Sequence, residues 1–134
     1  MPEFSMRIRA EAPVEEVWKL LHDPSSFPRW WAGMETVEPG EEGGFTMWPV
    51  GYPDFPMPQR LEESGVDHRV AISCLISSLE FVWRLGADGE ATEIEVFVRI
   101  PDAEAHRLVP QQEVVAASLV TLAELSVSQH REQL

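Results

Sequence analysis

The chain has 134 residues, 44% of them hydrophobic, which is enough for one domain with one sizeable core and too few for two ordinary domains. Its formal net charge is −13, and its ten basic residues do not cluster, so neither nucleic acid nor an anionic membrane is an expected partner. Because it has no apolar run that could span a membrane and no secretory signal pattern, we expect a single cytoplasmic domain over residues 1–134.

The first thirty residues predict a strand followed by two short helical segments. Apolar and polar residues alternate over 4–10, the period of a strand with one buried face. Pro13 suits the first position of a helix, and apolar residues then recur at helical spacing as far as Leu21. Asp23-Pro24 ends this helix, because proline disfavours the α conformation in the residue before it. A tight second turn of helix carries two adjacent tryptophans, Trp30 and Trp31.

The middle of the chain predicts an antiparallel meander. Strands are expected over 34–38, 45–48, 59–64, 68–76, 78–87 and 91–100. The last two are joined by a hairpin turn with Asp88-Gly89 at its centre. The four prolines of segment 49–58 predict a loop or an irregular edge there, because proline cannot donate to a β-ladder.

Alternation along the strands assigns the side chains that face the core. The core-facing set includes Ile72, Cys74, Phe81, Trp83 and Val96. Phe97 points the other way, so that one large aromatic ring lies on a face that is otherwise suited to water. This placement predicts a subunit contact at Phe97.

From residue 102 onward the β-type alternation ends and a long helix is expected. Residues 102–109 form a separate helical turn, and Pro110 lies in the first turn of a helix that runs to about Gln129. Its apolar residues, Leu119 and Leu122 among them, cover well over half of its circumference. The exposed strip comprises Glu113, Ala117, Thr121 and Glu124. Because no basic residue lies between Arg107 and Arg131 to solvate an outer face, a homodimer is a further expectation.

The pattern P-x-E-x-V-W-x-L-L-x-D-P-x-x-F-P-x-W-W over 13–31, directly after a strand, resembles the polyketide cyclase/dehydrase branch of the START-like (SRPBCC) superfamily. Segments 61–70 and 81–94 are similar to that family's strand pairs, although Val66-Asp67 stand where two prolines are common. The resemblance implies an α+β helix-grip fold. In that fold a curved antiparallel sheet of about six or seven strands wraps a long C-terminal helix, two short helices follow the first strand, and an apolar cavity lies between sheet and helix.

The sequence contains no catalytic motif for a nucleophile, a metalloprotease helix or a phosphate-binding loop. Its four histidines are scattered and Cys74 is its single cysteine, so we expect no disulfide, no metal and no cofactor.

The aromatic residues carry the strongest functional signal. Five tryptophans with several phenylalanines and a tyrosine can line an apolar pocket, with core packing as the alternative for most of them. Trp18 is assigned to the core, because it lies on the buried stripe of its helix. The candidate cavity residues are Trp30, Trp31, Trp48, Tyr52, Phe55, Ile72, Cys74, Phe81, Trp83, Val96, Leu119 and Leu122.

Three functions compete. The first is a cytoplasmic protein that binds a hydrophobic small molecule, such as a lipid, a polyketide or an aromatic compound, in this cavity. The second, implied by the resemblance, is a polyketide cyclase or dehydratase that uses the same cavity and moves protons with one or two polar groups. The third is a protein-interaction domain similar to the activators of Hsp90, with Phe97 and the terminal helix as partner surface.

Overall fold

The structure, a computed structural model, describes residues 2–133. Its strands are β1 (Glu3–Ala10), β2 (Met34–Pro39), β3 (Gly44–Pro49), β4 (Met57–Ser64), β5 (Arg69–Cys74), β6 (Glu80–Asp88) and β7 (Ala91–Arg99). Its helices are α1 (Val14–Leu21), α2 (Phe27–Trp30) and α3 (Leu108–Glu132), with 3-10 turns at Pro24–Ser26 and Asp102–Arg107. The strands form one antiparallel sheet in the order β1-β7-β6-β5-β4-β3-β2, and α3 lies across its concave face. The predicted helix-grip fold is confirmed.

Local sequence explains the helical pair after β1. Pro13 is the N-cap residue of α1 and not its first helical residue, so the helix begins one residue later than predicted. The Pro13 carbonyl accepts from the Glu16 N–H at 3.0 Å. The Asp23 side chain accepts from the Ser25 N–H at 3.0 Å, which starts the 3-10 turn where α1 has ended. Trp18 is only partly buried at the edge of the core, and its ring stacks on His22 with centroids 5.3 Å apart.

The hairpin between β6 and β7 turns one residue later than predicted, whereas the β1–β7 edge follows the predicted alternation. Asp88 pairs with Ala91, so the two turn residues are Gly89 and Glu90, and Gly89 has the positive φ of 64° that a glycine at the first turn position supplies. Strand β1 pairs with β7 along its whole length, from Glu3 opposite Arg99 to Ala10 opposite Thr92. The apolar face of this strand pair therefore points to the core, and its charged face points to solvent.

The strands next to segment 49–58 differ from the prediction. Met57 and Pro58 belong to β4, which begins two residues earlier than expected. Strand β5 ends at Cys74, opposite Gln59. Beyond it the Pro58 carbonyl still accepts from the Leu75 N–H at 3.0 Å, but Pro58 has no N–H with which to continue the ladder. Strand β5 is also shorter than predicted: His68, with a left-handed φ of 48°, precedes it, and a turn closed by the Ser78 N–H on the Cys74 carbonyl at 3.0 Å follows it.

Helix α3 begins two residues before Pro110 and packs against β1, α1 and α2. The predicted exposed strip is correct in all four of its residues. The apolar face is narrower than predicted, since Val120 is 47% exposed. The residues that α3 buries are Val115, Ser118, Leu119, Leu122, Ala123 and Ser126. Phe97 is 37% exposed, and its role in a subunit contact stays a prediction. No helix within residues 2–133 is long and apolar enough to cross a membrane.

Candidate functional site

A cavity of about 240 Å³ lies between the concave face of the sheet and the first turns of α3. Its sheet side is lined by Met34, Met47, Pro49, Met57, Gln59, Cys74, Leu79 and Phe81. Its helix side is lined by Arg107, Pro110, Gln111 and Val114, and Trp31 and Gly33 close it at the linker that follows α2. The wall is mostly apolar, with a few polar groups among the sulfur and aromatic side chains.

The antiparallel register explains why these residues converge. Met47 lies opposite Met57 between β3 and β4, and Gln59 lies opposite Cys74 between β4 and β5. Because side chains two residues apart share a face, Met57 and Gln59 project into the concave side together. The sheet side of the cavity is thus built from five neighbouring strands, β2 to β6.

Trp31 is the aromatic wall of the cavity. Its ring stacks on Trp30 with centroids 5.4 Å apart and meets Phe81 and Trp83 edge-on at 5.0 and 5.2 Å. These distances and angles are those of favourable aromatic pairs. On its far side, the cavity therefore borders a continuous aromatic cluster that also includes Phe27.

The neighbouring Trp30 has a different task. Its indole N–H donates to the Leu20 carbonyl at 3.1 Å. That carbonyl lies in the last turn of α1, where residue 24 would normally supply the hydrogen bond, but Pro24 has no N–H. Trp30 therefore supplies the hydrogen bond that the last turn of α1 lacks. It is 2% exposed and does not line the cavity.

Three polar side chains reach the cavity wall. Arg107 Nη1 donates to Glu104 Oε1 at 3.0 Å, and Gln59 Nε2 donates to the Met57 carbonyl at 3.3 Å. Gln111 lies on α3 one turn after Arg107. They provide hydrogen-bonding groups at the mouth and on the floor of an otherwise apolar space.

Cys74 is the titratable thiol of this cavity. Burial by itself raises the pKa of the Cys74 thiol, but hydrogen bonds from the Ser77 hydroxyl, the Ser77 and Ile76 backbone and the Gln59 side chain together outweigh it. The pKa is therefore lowered from its ordinary value, and the thiolate is favoured relative to a free cysteine.

The structure divides the predicted cavity residues into three groups. Trp31, Cys74 and Phe81 line the cavity. A second group lies in the core without lining it: Trp30, Ile72, Trp83, Val96, Leu119 and Leu122.

The third group lies outside the cavity and corrects the prediction. Phe45 and Met47 face the core, so Trp48 projects from the opposite face of β3. Tyr52 and Phe55 are 65% and 55% exposed in the loop between β3 and β4, and Pro49, the last residue of β3, reaches the wall. The loop lies beside the linker after α2, since the Val50 N–H donates to the Gly33 carbonyl at 3.4 Å.

Sequence reasoning missed the methionines and the polar residues of the wall. Met57, Gln59 and Leu61 alternate with charged or proline residues, a signal that could have placed all three on the concave face. Arg107 and Gln111 are spaced by one helical turn, which places them on one face of the helix entry. Their convergence with Gln59 depends on how α3 crosses the sheet, and no local pattern encodes that.

A larger depression of about 630 Å³ lies between the end of β1 and the last turns of α3. It is an open surface groove whose rim carries Arg9, Glu11, Glu124, Arg131 and Glu132. Because charged side chains surround it, it does not suit an apolar ligand as the smaller cavity does.

Comparisons with known proteins agree with this architecture. A family model described as polyketide cyclase / dehydrase and lipid transport matches residues 1–121. The Zhui aromatase/cyclase from Streptomyces sp. R1128 is 16% identical over 98% of this chain and 94% of its own, with a TM-score of 0.73. The di-domain ARO/CYC BexL from the BE-7585A biosynthetic pathway is 17% identical over 92% of this chain and 46% of its own, with a TM-score of 0.76.

A protein from Thermus thermophilus is 20% identical over 96% of this chain and 99% of its own, with a TM-score of 0.73. At these identities the solved structures show a shared fold. No curated protein matches the chain in sequence.

Proposed function

Because the chain belongs to the polyketide cyclase / dehydrase and lipid transport family, we propose that it binds a hydrophobic small molecule in the cavity between the sheet and α3. The ligand is a lipid, a polyketide or an aromatic compound. The structural neighbours named as aromatase/cyclases support a role of this kind, since their fold is the same.

The observation that carries this proposal is the composition of the cavity wall. Small-molecule sites are concave and mostly apolar, with a few placed polar groups, and this wall combines methionine, leucine and aromatic side chains with Gln59, Arg107 and Gln111. Its volume of about 240 Å³ equals roughly eight water molecules at about 30 Å³ each, which suits one or two rings or a short acyl segment.

One observation favours an enzyme as the second candidate. Arg107 lines the cavity and is paired with a carboxylate, Glu104. An arginine stays protonated, so it can orient a carbonyl or stabilise an enolate but does not shuttle protons near neutral pH. No histidine lines the cavity among residues 2–133, which leaves Cys74 as the wall group suited to proton transfer. The binding function therefore ranks first.

The single cysteine permits a direct test of cavity occupancy. Cys74 is alkylated with iodoacetamide, with and without naphthalene, and the rate is followed by intact mass. A ligand seated in the cavity blocks access to the Cys74 thiol by the factor 1 + [L]/Kd, so naphthalene at ten times its Kd slows alkylation about tenfold. If the alkylation rate of Cys74 is unchanged in an aqueous solution saturated with naphthalene, the proposal is contradicted.

Two adjacent glutamines of α3 supply the matched variants. Gln111 lines the cavity and Gln112 does not, although both lie in the first turns of the same helix. Gln111→Trp fills the mouth and is expected to weaken naphthalene binding at least tenfold by equilibrium dialysis, whereas Gln112→Trp leaves it unchanged. Equal effects of the two substitutions would place the ligand elsewhere.

A further inference from the structure

Trp83 holds a buried hydrogen-bond donor without an acceptor. The residue is 0% exposed in the centre of β6, and its indole N–H has no hydrogen-bond partner within residues 2–133. Buried donors are nearly always paired in folded proteins, so each exception needs an explanation. Trp30, equally buried and only 5.2 Å away between ring centroids, has its N–H paired with the Leu20 carbonyl. Folding alone does not explain the difference.

One ring separates Trp83 from the cavity. Trp31 lines the cavity, and its other side contacts Trp83 with centroids 5.2 Å apart at 68°. Trp83 does not line the cavity while Trp31 occupies this position. Displacement of the Trp31 ring would join the cavity to Trp83 and make room for a ligand larger than the one or two rings that its volume of about 240 Å³ admits.

The backbone at Trp31 is fixed, whereas its side chain is held by ring contacts. The Trp31 N–H donates to the Phe27 carbonyl at 2.7 Å, and the next N–H, of Ala32, donates to Ser118 Oγ at 2.9 Å. Within residues 2–133 the Trp31 indole contacts Phe27, Trp30, Phe81 and Trp83 as a ring and has no hydrogen bond. Rotation of the ring about this anchored backbone therefore breaks no hydrogen bond, and an aromatic ligand can replace the ring contacts that are lost.

We infer that Trp31 is a movable wall and that the Trp83 indole N–H donates to an oxygen acceptor of the bound ligand. The inference rests on the proposed function and narrows it: the ligand is an apolar aromatic or acyl molecule that carries a carbonyl oxygen on the part that enters first. The ligand carbonyl accepts from the Trp83 indole N–H, which stays without an acceptor when a hydrocarbon binds. The site therefore selects a ketone or ester over a hydrocarbon of the same shape.

The test compares two probes of nearly identical shape, 2-acetylnaphthalene and 2-isopropenylnaphthalene, in which C=O and C=CH₂ exchange places. Dissociation constants are measured by equilibrium dialysis for the unmodified protein, Trp83→Phe and Trp30→Phe. We expect the unmodified protein to prefer the ketone by about tenfold, Trp83→Phe to lose this preference, and Trp30→Phe to keep it. The Trp83 indole N–H resonance is expected to move downfield with the ketone and not with the alkene.

Thermal unfolding distinguishes two states of the Trp83 indole N–H: unpaired, or directed at the face of a neighbouring aromatic ring. If the Trp83 N–H is unpaired, Trp83→Phe loses no hydrogen bond, and Trp30→Phe, which leaves the Leu20 carbonyl without its donor, lowers Tm by about 4 °C more. Equal losses of Tm would overturn the inference. Equal binding of both probes by the unmodified protein also overturns it while leaving the proposed function intact, and binding of neither probe overturns both.

Discussion

Gln129 Nε2 donates to Glu16 Oε2 at 2.9 Å and so joins the last turns of α3 to the first turn of α1 across 113 residues of sequence. Lys19 Nζ donates to the other carboxylate oxygen at 3.1 Å. The Glu16 side chain is only 7% exposed. The hydrogen bond from Gln129 lowers the pKa of Glu16, burial opposes this, and Lys19 adds to the lowering. The charged carboxylate is thus the form that fastens α1 to α3.

A pH-dependent contribution to stability follows from this pair. Since the pKa of Glu16 is lower in the folded than in the unfolded protein, its contribution is present above the ordinary glutamate pKa of about 4.3 and is lost as the pH falls through the lower folded value. Glu16→Gln is expected to reduce the free energy of unfolding at pH 7 by about 1–3 kcal/mol. In acid, the difference in free energy of unfolding between the variant and the unmodified protein is expected to become smaller. Urea unfolding between pH 3 and pH 7 measures both effects.

The control for this measurement is the neighbouring first-turn acid. Glu15 is exposed, so Glu15→Gln is expected to change the free energy of unfolding by less than about 0.5 kcal/mol at every pH. A gap between Glu16→Gln and the unmodified protein that is constant from pH 7 to pH 3 would contradict the role given to the carboxylate.

Ser118 and Ser126 provide a second test on the same helix. Both are 0% exposed, and both hydroxyls donate to the carbonyl four residues earlier at 2.7 Å. Only Ser118 also accepts from another segment, the Ala32 N–H at 2.9 Å. Ser118→Ala is therefore expected to lower the free energy of unfolding by about 1 kcal/mol more than Ser126→Ala, as measured by urea unfolding. Equal losses would show that the bond to the linker after α2 adds nothing.

Phe27 is predicted to be costly to truncate, although it lies outside the cavity wall. It is 0% exposed, and its ring meets Trp30, Trp31 and Phe45 at centroid distances of 5.4 to 5.5 Å. Phe27→Ala is expected to cost about 3–5 kcal/mol by urea unfolding, because the rigid rings around it cannot close the gap. Phe55→Ala, in the exposed loop, is expected to cost less than about 0.5 kcal/mol.

The lowered pKa of Cys74 predicts an alkylation profile that is displaced toward acid. The observed rate constant with iodoacetamide is expected to rise with pH around a midpoint below that of a free cysteine. Ser77→Ala removes the hydroxyl hydrogen bond to the thiolate and is expected to move the midpoint to higher pH. Ser73→Ala, on the opposite face of β5, is expected to leave it in place. A midpoint that Ser77→Ala does not move would show that this hydroxyl does not stabilise the thiolate.

Alternation and turn chemistry predict the fold from sequence because they are local. The two-residue period of β5, β6 and β7 places Ile72, Phe81 and Val96 inward, and all three are buried. Strand ends are less predictable: His68 and Ser78 have left-handed φ angles, and nothing in their identity demands that conformation.

The cavity is harder to predict, because it depends on contacts between distant segments. Residue type alone favours Trp48 as a cavity residue, whereas the alternation that starts at Phe45 puts Trp48 on the other face. Arg107 and Gln59 line the same cavity only because the chain at the start of α3 crosses the sheet at that point. For Trp30 a signal existed: a proline four residues after Leu20 leaves a helix carbonyl in need of a donor.

The pairing of β1 with β7 also determines when this protein can fold. Glu3 finds its partner only at Arg99, and α3, which packs on β1, comes later still. A ribosome that adds about 5–20 residues per second therefore exposes the apolar face of β1 for at least several seconds before its neighbour exists. Closure of so long a loop places the domain among the slower folders of its size. Faster translation, or a chaperone that covers residues 3–10 in the meantime, should raise the yield of native protein.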